Sequence, residues 1–264
     1  MNARDVVYEK DRGVARITID RPERRNAFRA ETVDEMTAAF EDAARDASVG
    51  VVVLRGAGGR AFSTGGDLSW EGSMLPREIP HELRRLMRLS SAILDNGKPV
   101  IAAIQGYCVG GGNQLNMLCD LSVATEGSRF GDGGARVGSL SFWWGLELLP
   151  GLVGDRRARE VLFLCRQYRA EEALQMGWIT RVVAPRDLDA AVQEWCDELL
   201  ERSPQALRFI KTALNRSVEA QYPSVVNGGF VAELLHGTEE FREGMNALRE
   251  KRRPRFERGG GGGR

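Results

Sequence analysis

The amino-acid sequence predicts an α/β fold, and three observations carry the prediction. Short β-branched runs alternate with apolar stripes at helical spacing through the first half. Two glycine turns, AFSTGGDL at Ala61 to Leu68 and GYCVGGGNQL at Gly106 to Leu115, each come after such a run. The second half is mostly helical in pattern.

The elements follow in order. Val6 to Glu9 and Val14 to Ile19 read as strands around the turn Asp11-Arg12-Gly13, and Arg21-Pro22 ends the second. Val33, Met36, Phe40 and Ala44 recur at helical spacing. Val51 to Leu54 is a β-branched strand. Glu71 to Pro80, with Gly, Ser and two prolines, reads as a mobile loop. Leu83, Leu86, Leu89 and Ile93 form a helical stripe that Asn96-Gly97 stops. Val100 to Ile104 is a buried strand that runs into the Gly110-Gly111-Gly112 turn, with an amphipathic segment after it, and Leu121 to Ala124 is a further strand. Asp187 to Leu200 places Leu188, Val192, Trp195 and Leu199 on one helical face. Ser203-Pro204 is a helix start with Ser as N-cap and Pro in the first turn. The expected organisation is a core over 1–200, a helical region over 201–258, and a glycine run at 259–264 with the composition of disordered chain.

Composition narrows the function. The 264 residues suffice for one large domain, or a domain with a small appendage. The 37 basic and 37 acidic residues balance, which gives no electrostatic reason to expect nucleic acid or a membrane surface. No apolar run approaches the roughly 20 residues that span a bilayer. The polar start MNARDVVYEKDRG lacks a signal peptide's apolar core. Cys108, Cys119, Cys165 and Cys196 have no CxxC spacing, so reduced thiols in a cytoplasmic protein are expected. With only His81 and His236, a His-rich metal site is excluded.

The glycine turns suggest the chemistry. Glycine permits a sharp turn and a close approach to the amides. A strand entering a helix leaves free N–H donors that can hold a phosphate or a developing oxyanion. The chain has no GxGxxG after a first strand and no GKS or GKT ending, which weighs against phosphate. Two separate turns can each lend one amide to the same oxygen. Alternatively, each glycine merely permits a turn.

These two turns, with DRPERRNAF at Asp20 to Phe28 and FGDGGARVGS at Phe130 to Ser139, resemble the crotonase (enoyl-CoA hydratase/isomerase) superfamily over nearly the whole chain. GDRRAREVLFLCRQY at Gly154 to Tyr168, SPQALRFIK at Ser203 to Lys211 and TEEFREGMNALREKRRP at Thr238 to Pro254 are most similar to the dihydroxynaphthoyl-CoA synthase branch, which includes 2-ketocyclohexanecarboxyl-CoA hydrolase. The resemblance implies a ClpP/crotonase-like spiral of ββα units with a helical C-terminal region that trimerises, two trimers commonly stacking as a hexamer. It implies an acyl-CoA substrate whose thioester carbonyl is polarised by the amides of Gly66 and Gly111. By position, Arg25 resembles a phosphate contact. Thr64, Gly65, Asp67 and the adjoining Leu68 resemble adenine and pantetheine contacts. Tyr107, Val109 and Gly110 resemble pocket contacts, and Lys251 a basic residue reaching the nucleotide, often across a subunit boundary. The alternative for Arg25 and Lys251 is a solvated surface charge.

The sequence also departs from the family. Hydratases use two glutamates, where this chain has Gln114 and Gly134; neither can act as a base. The synthase branch carries an aspartate where Ser141 stands and a glycine where Trp143 stands, and His236 replaces its tyrosine. Ser139 is retained, and Gly134 matches a variant in which bicarbonate stands in for the missing carboxylate. His236, Ser139 and Asp132 are then the candidate proton-handling residues, beside Gly66 and Gly111 for the oxyanion. The alternatives are a surface position for His236, a turn-stabilising side chain for Asp132, and core or pocket wall for Trp143 and Trp144. The expected activity is making or cleaving a C–C bond through a thioester enolate, most specifically hydrolytic ring opening of a cyclic β-keto acyl-CoA. The alternatives are a hydratase or isomerase reaction, dihydroxynaphthoyl-CoA synthesis, and a CoA-binding homologue without catalysis. No cofactor beyond the substrate's coenzyme A moiety and the bicarbonate is expected, and no metal.

Overall fold

The computed structural model describes residues 5–257, so the glycine run at 259–264 lies outside the described residues. Six strands form the larger sheet: β1 (Val6–Asp11), β2 (Val14–Ile19), β3 (Val51–Gly56), β5 (Val100–Ile104), β7 (Leu121–Thr125) and β10 (Arg181–Val183), in the order β1-β2-β3-β5-β7-β10. β1 and β2 are an antiparallel hairpin, and every later pairing in this sheet is parallel. A second sheet holds β4 (Ala61–Ser63), β6 (Tyr107–Val109), β8 (Arg129–Gly131) and β9 (Gln167–Arg169), the first three parallel and β9 antiparallel to β8.

The central strands are apolar on both faces, as a covered parallel sheet requires. Side chains alternate. Val51 and Val53 of β3, with Ile101 and Ala103 of β5, pack on Leu188, Ala191, Val192 and Cys196 of α8 (Leu188–Leu200). Val52, Leu54, Val100, Ala102 and Ile104 face the opposite way into the main core. That core includes Val33, Met36 and Phe40 of α1 (Ala30–Arg45) and Leu83, Leu86, Leu89 and Ile93 of α3 (Ile79–Leu94), both stripes read from spacing.

The chain repeats one device three times. A long strand enters the larger sheet, a three-residue strand enters the smaller one, and a glycine turn follows. β3 and β4 lead to Thr64-Gly65-Gly66 and α2 (Leu68–Glu71). β5 and β6 lead to Gly110 and α4 (Gly111–Leu118). β7 and β8 lead to Asp132-Gly133-Gly134 and a 3-10 turn at Gly134–Val137. This corrects the expectation that the glycine turns follow the long strands directly. The intervening strands bring the turns together: parallel neighbours end at one edge, and Ala61 pairs with Tyr107 as Tyr107 pairs with Arg129.

The segment expected as a loop from Glu71 to Pro80 is more ordered than its composition suggests. It holds the end of α2, a 3-10 turn at Pro76–Glu78, and the first two residues of α3, where Pro80 sits in the first turn. After α5 (Gly145–Val153), α6 (Asp155–Leu164) and α7 (Ala170–Gln175), the C-terminal helices are α9 (Pro204–Glu219), α10 (Tyr222–His236) and α11 (Glu239–Arg249). Ser203 caps α9 as read, its Oγ accepting from Ala206 N–H at 3.3 Å. Lys211 ties α9 to the core: its buried ammonium donates to the carbonyls of Ile93 and Lys98 and pairs with Asp120 at 2.7 Å.

Candidate active site

The C-terminal ends of β4, β6 and β8 open into a cavity of about 200 Å³. Gly66, Gly110, Gly111, Asp132, Gly133 and Gly134 supply its floor. Phe28, Trp70, Met74, Leu86, Phe142 and Trp143 supply apolar wall, and α10 and α11 close it with His236, Phe241, Met245 and Leu248.

The floor is built for backbone donors. Phe28 N–H donates to the Gly65 carbonyl and Asp67 N–H to the Phe28 carbonyl, a parallel bridge that leaves the Gly66 amide pointing away from Phe28. Gly111 is the first residue of α4, so its N–H has no partner within the helix. A Cβ on Gly65 would stand 2.6 Å from the Gly111 nitrogen, which places the two turns in contact. Two amides thus meet one cavity from adjacent strands, the arrangement that stabilises a carbonyl oxygen gaining negative charge.

The wall beside them is specific. Trp143 and Trp144, expected as core or wall, are both 2% exposed, and their indole N–H groups converge on Ser90 Oγ at 2.6 and 2.9 Å. Trp143 sets its ring edge against Phe28, with centroids 6.1 Å apart. Gln114 and Ser141 also line the cavity.

The structure brings His236 to the cavity as the last residue of α10, half-buried rather than on the open surface. Its Nδ1 lies 2.7 Å from the Ala232 carbonyl and therefore carries a proton in that bond, leaving Nε2 with the lone pair. Its ring stacks on Phe241 at 4.0 Å. Burial holds the imidazole below its ordinary 6.5, outweighing the Ala232 carbonyl, which favours the cation. Ser139 lines the same cavity, its N–H donating to the Gly134 carbonyl at 2.9 Å.

Two of the expected site residues have partners within the fold. Asp132 reaches the cavity, but its Oδ1 accepts from Gly134 N–H at 2.9 Å, the turn-stabilising alternative. Asp67 does not present its side chain to a ligand. It is buried, pairs with Arg21 at 3.1 Å, and caps α2 by accepting from Ser69 N–H at 2.9 Å. Burial works to raise its carboxyl, and the Ser69 amide with the Arg21 guanidinium outweighs that and holds it below the usual range.

The other expected coenzyme contacts divide. Thr64, Leu68 and Gly110 line the cavity. Arg25 and Tyr107 lie together outside it, the guanidinium 5.7 Å from the ring centroid, and Thr64 Oγ1 lies 3.5 Å from the Arg25 carbonyl. Both are exposed. Gly65 is buried against Gly111, and Val109 lies one residue before the floor. Lys251 is exposed just after α11 and does not line the cavity.

A Cβ on Gly134 would meet Leu140 Cα at 3.0 Å, a tight contact for a side chain there. Among the described residues, the charged groups lining the cavity beside His236 are Glu71, Glu82 and Asp132.

Glu71 is a lining residue without a sequence motif. It is the last residue of α2, and its side chain folds back over Gly66, where a Cβ would overlap Glu71 Oε1. Burial, with the nearby Asp67 charge, pushes its carboxyl up to about 7. The available signal was a glutamate between Trp70 and Met74, five residues after Gly66, but a loop assignment gives a side chain no direction.

Comparison with known proteins agrees with this geometry. The enoyl-CoA hydratase/isomerase family model matches residues 9–259. An enoyl-CoA hydratase from Mycobacterium avium subsp. paratuberculosis K-10 superposes with a TM-score of 0.86 at 27% identity, covering 97% of this chain and 99% of its own. An enoyl-CoA hydratase/isomerase from Xanthobacter autotrophicus Py2 gives 0.85 at 30% identity, covering 94% of each chain. A probable enoyl-CoA hydratase from Mycobacterium smegmatis gives 0.80 at 35% identity, covering 90% of this chain and 97% of its own. Paired glycine amides over an apolar cavity, on a spiral matched along almost its full length, place the chain in the enoyl-CoA hydratase/isomerase (crotonase) superfamily, as an acyl-CoA enzyme.

Proposed function

We propose that the protein cleaves a carbon–carbon bond next to a CoA thioester, opening a cyclic β-keto acyl-CoA with water. The observation that carries this is the convergence of the Gly66 and Gly111 amides on one apolar cavity. In the reaction, water adds to the ring ketone and His236 Nε2 accepts its proton, with Ser139 lining the same cavity. The bond between that carbon and the α-carbon breaks, and its electron pair passes into the thioester as an enolate. Two preorganised amides stabilise the enolate oxygen more than the neutral carbonyl, which is the differential binding that lowers a barrier. A proton returned to the α-carbon completes a hydrolysis. The cavity supports a single ring: about 200 Å³ compares with about 150 Å³ for an apolar cavity that holds benzene.

Hydration or isomerisation of an enoyl-CoA is the second reading, favoured by the names of the structural relatives. Against it stand Gln114 and Gly134, which give no carboxylate pair to handle one water. Turnover separates the two. Hydrolysis of 2-oxocyclohexanecarboxyl-CoA, with no hydration of crotonyl-CoA, is the expected outcome; the reverse pattern would overturn the ring-opening assignment. We also infer a homotrimer or homohexamer, because α9 leaves Phe209, Ile210 and Leu214 between 55% and 69% exposed.

A further inference from the structure

We propose that Glu71 is the catalytic acid–base residue at the substrate α-carbon, the group that exchanges a proton with the carbon next to the thioester held by Gly66 and Gly111. The inference rests on the enolate reading and adds a residue to it.

Asp67 caps α2, and the helix is one turn long, so Glu71 leaves it pointing back toward the strand end. Its Cγ would stand 2.9 Å from a Cβ on Gly66, and its Oε1 would overlap that atom. The carboxylate therefore covers the residue whose amide faces the thioester oxygen. The α-carbon lies two bonds from that oxygen, on the same short stretch of substrate. Glycine at 66 then serves twice: it exposes an amide, and it leaves room for the carboxylate above it.

Elimination points the same way. Three carboxylates line the cavity. Glu82 pairs with Arg85 at 3.0 Å. Asp132 accepts from Gly134 N–H. Among the described residues, the Glu71 carboxylate has no hydrogen-bond or ion-pair partner. An unpaired carboxylate in an apolar wall is costly unless something uses it. Its raised affinity for a proton, with half-ionisation at about 7, suits a group that must both give and take one near neutrality.

The steps balance. In ring opening, protonated Glu71 delivers its proton to the enolate α-carbon, whose C=C electron pair forms the new C–H bond. His236, holding the proton taken from water, returns it to the Glu71 carboxylate directly or through solvent. In exchange without cleavage, the Glu71 carboxylate removes an α-proton, the C–H pair enters the enolate, and a solvent deuteron returns by the same route.

The charged groups facing this wall are Asp67 on the same turn, Glu82 and Arg85 on α3, His236 on α10, Asp132 in the third glycine turn, and Arg249 of α11, which lies against Gly72. Asp67 is the one whose charge raises Glu71.

The test is α-proton exchange of phenylacetyl-CoA in D2O, followed by NMR across pH 5 to 9, with calorimetric binding of CoA as control. The wild type is expected to exchange with a rate that rises through about pH 7. Glu71→Gln, which keeps the side-chain shape, is expected to exchange at least 100-fold more slowly, to lose that titration, and to bind CoA unchanged. Its melting temperature is expected to exceed the wild type's at pH 8 and match it at pH 4, because only the wild type must bury a charge at the higher pH. Exchange by Glu71→Gln within threefold of wild type would overturn the role of Glu71 and leave the enolate reading standing. Wild-type protein that binds CoA and exchanges nothing would overturn both.

Discussion

The backbones of Gly65 and Gly111 are in van der Waals contact, so two turns 46 residues apart in sequence act as one structural unit. A Cβ on Gly65 would stand 2.6 Å from the Gly111 nitrogen, and one on Gly111 would stand 3.2 Å from Gly65 Cα. Gly65 also has a φ of 89°, a conformation that other residues adopt only with strain. The floor of the cavity therefore depends on glycine backbone at both strand ends.

Gly111→Pro removes one of the two floor amides at a helix position that tolerates proline. A Cβ there would stand 2.5 Å from Phe28 Cζ, so the substitution is made together with Phe28→Leu and compared with Phe28→Leu alone. Loss of the donor is expected to slow α-proton exchange about 100- to 1000-fold. CoA affinity by calorimetry should stay within a few-fold. Equal exchange in the two variants would place the oxyanion elsewhere.

His236→Gln is expected to lower kcat for ring opening by about 100-fold or more, since an amide cannot take the proton from water. It should also change stability against pH. The imidazole is held below 6.5 in the folded state, so the unfolded chain binds the extra proton first as pH falls. Stability from this group is complete above 6.5 and declines as pH drops from 6.5 toward the folded value. Urea melts of His236→Gln between pH 5 and 7 should show a shallower decline than the wild type. An unchanged kcat would make the residue structural.

Asp132→Asn should be nearly silent. The amide oxygen can still accept from Gly134 N–H, which is the bond Asp132 makes. Turnover within threefold of wild type is expected, whereas Asp132→Ala should cost about 1 kcal/mol in a denaturant melt. A 100-fold loss in Asp132→Asn would restore the acid–base role that its place in the sequence suggested.

Light scattering at micromolar concentration should give a trimer or hexamer. Leu214→Glu places a charge at a position 69% exposed on α9 and should shift the population toward monomer. Monomeric wild-type protein would show that this face is not an assembly surface.

Local sequence pattern was enough for five of the six strands of the larger sheet and for the apolar stripes of α1, α3 and α8. β2 and β5 match their sequence ranges, and α9 begins at the Ser203 cap, because periodicity and capping are local properties. The two glycine turns were legible because consecutive glycines after apolar runs mark sharp turns. Contacts between residues far apart in the chain set the rest. Three-residue strands such as β4 and β6 are too short to show a period, so the smaller sheet that joins the two turns was invisible. Asp67 turned inward because the Arg21 guanidinium is buried beside it, a pairing across 46 residues that spacing cannot reveal. Asp132 closed its own turn, and His236 came to the cavity because α10 ends there. Glu71 was hidden for the same physical reason: the direction of a side chain on a one-turn helix is fixed by the cap that starts the helix and by the space that a glycine leaves.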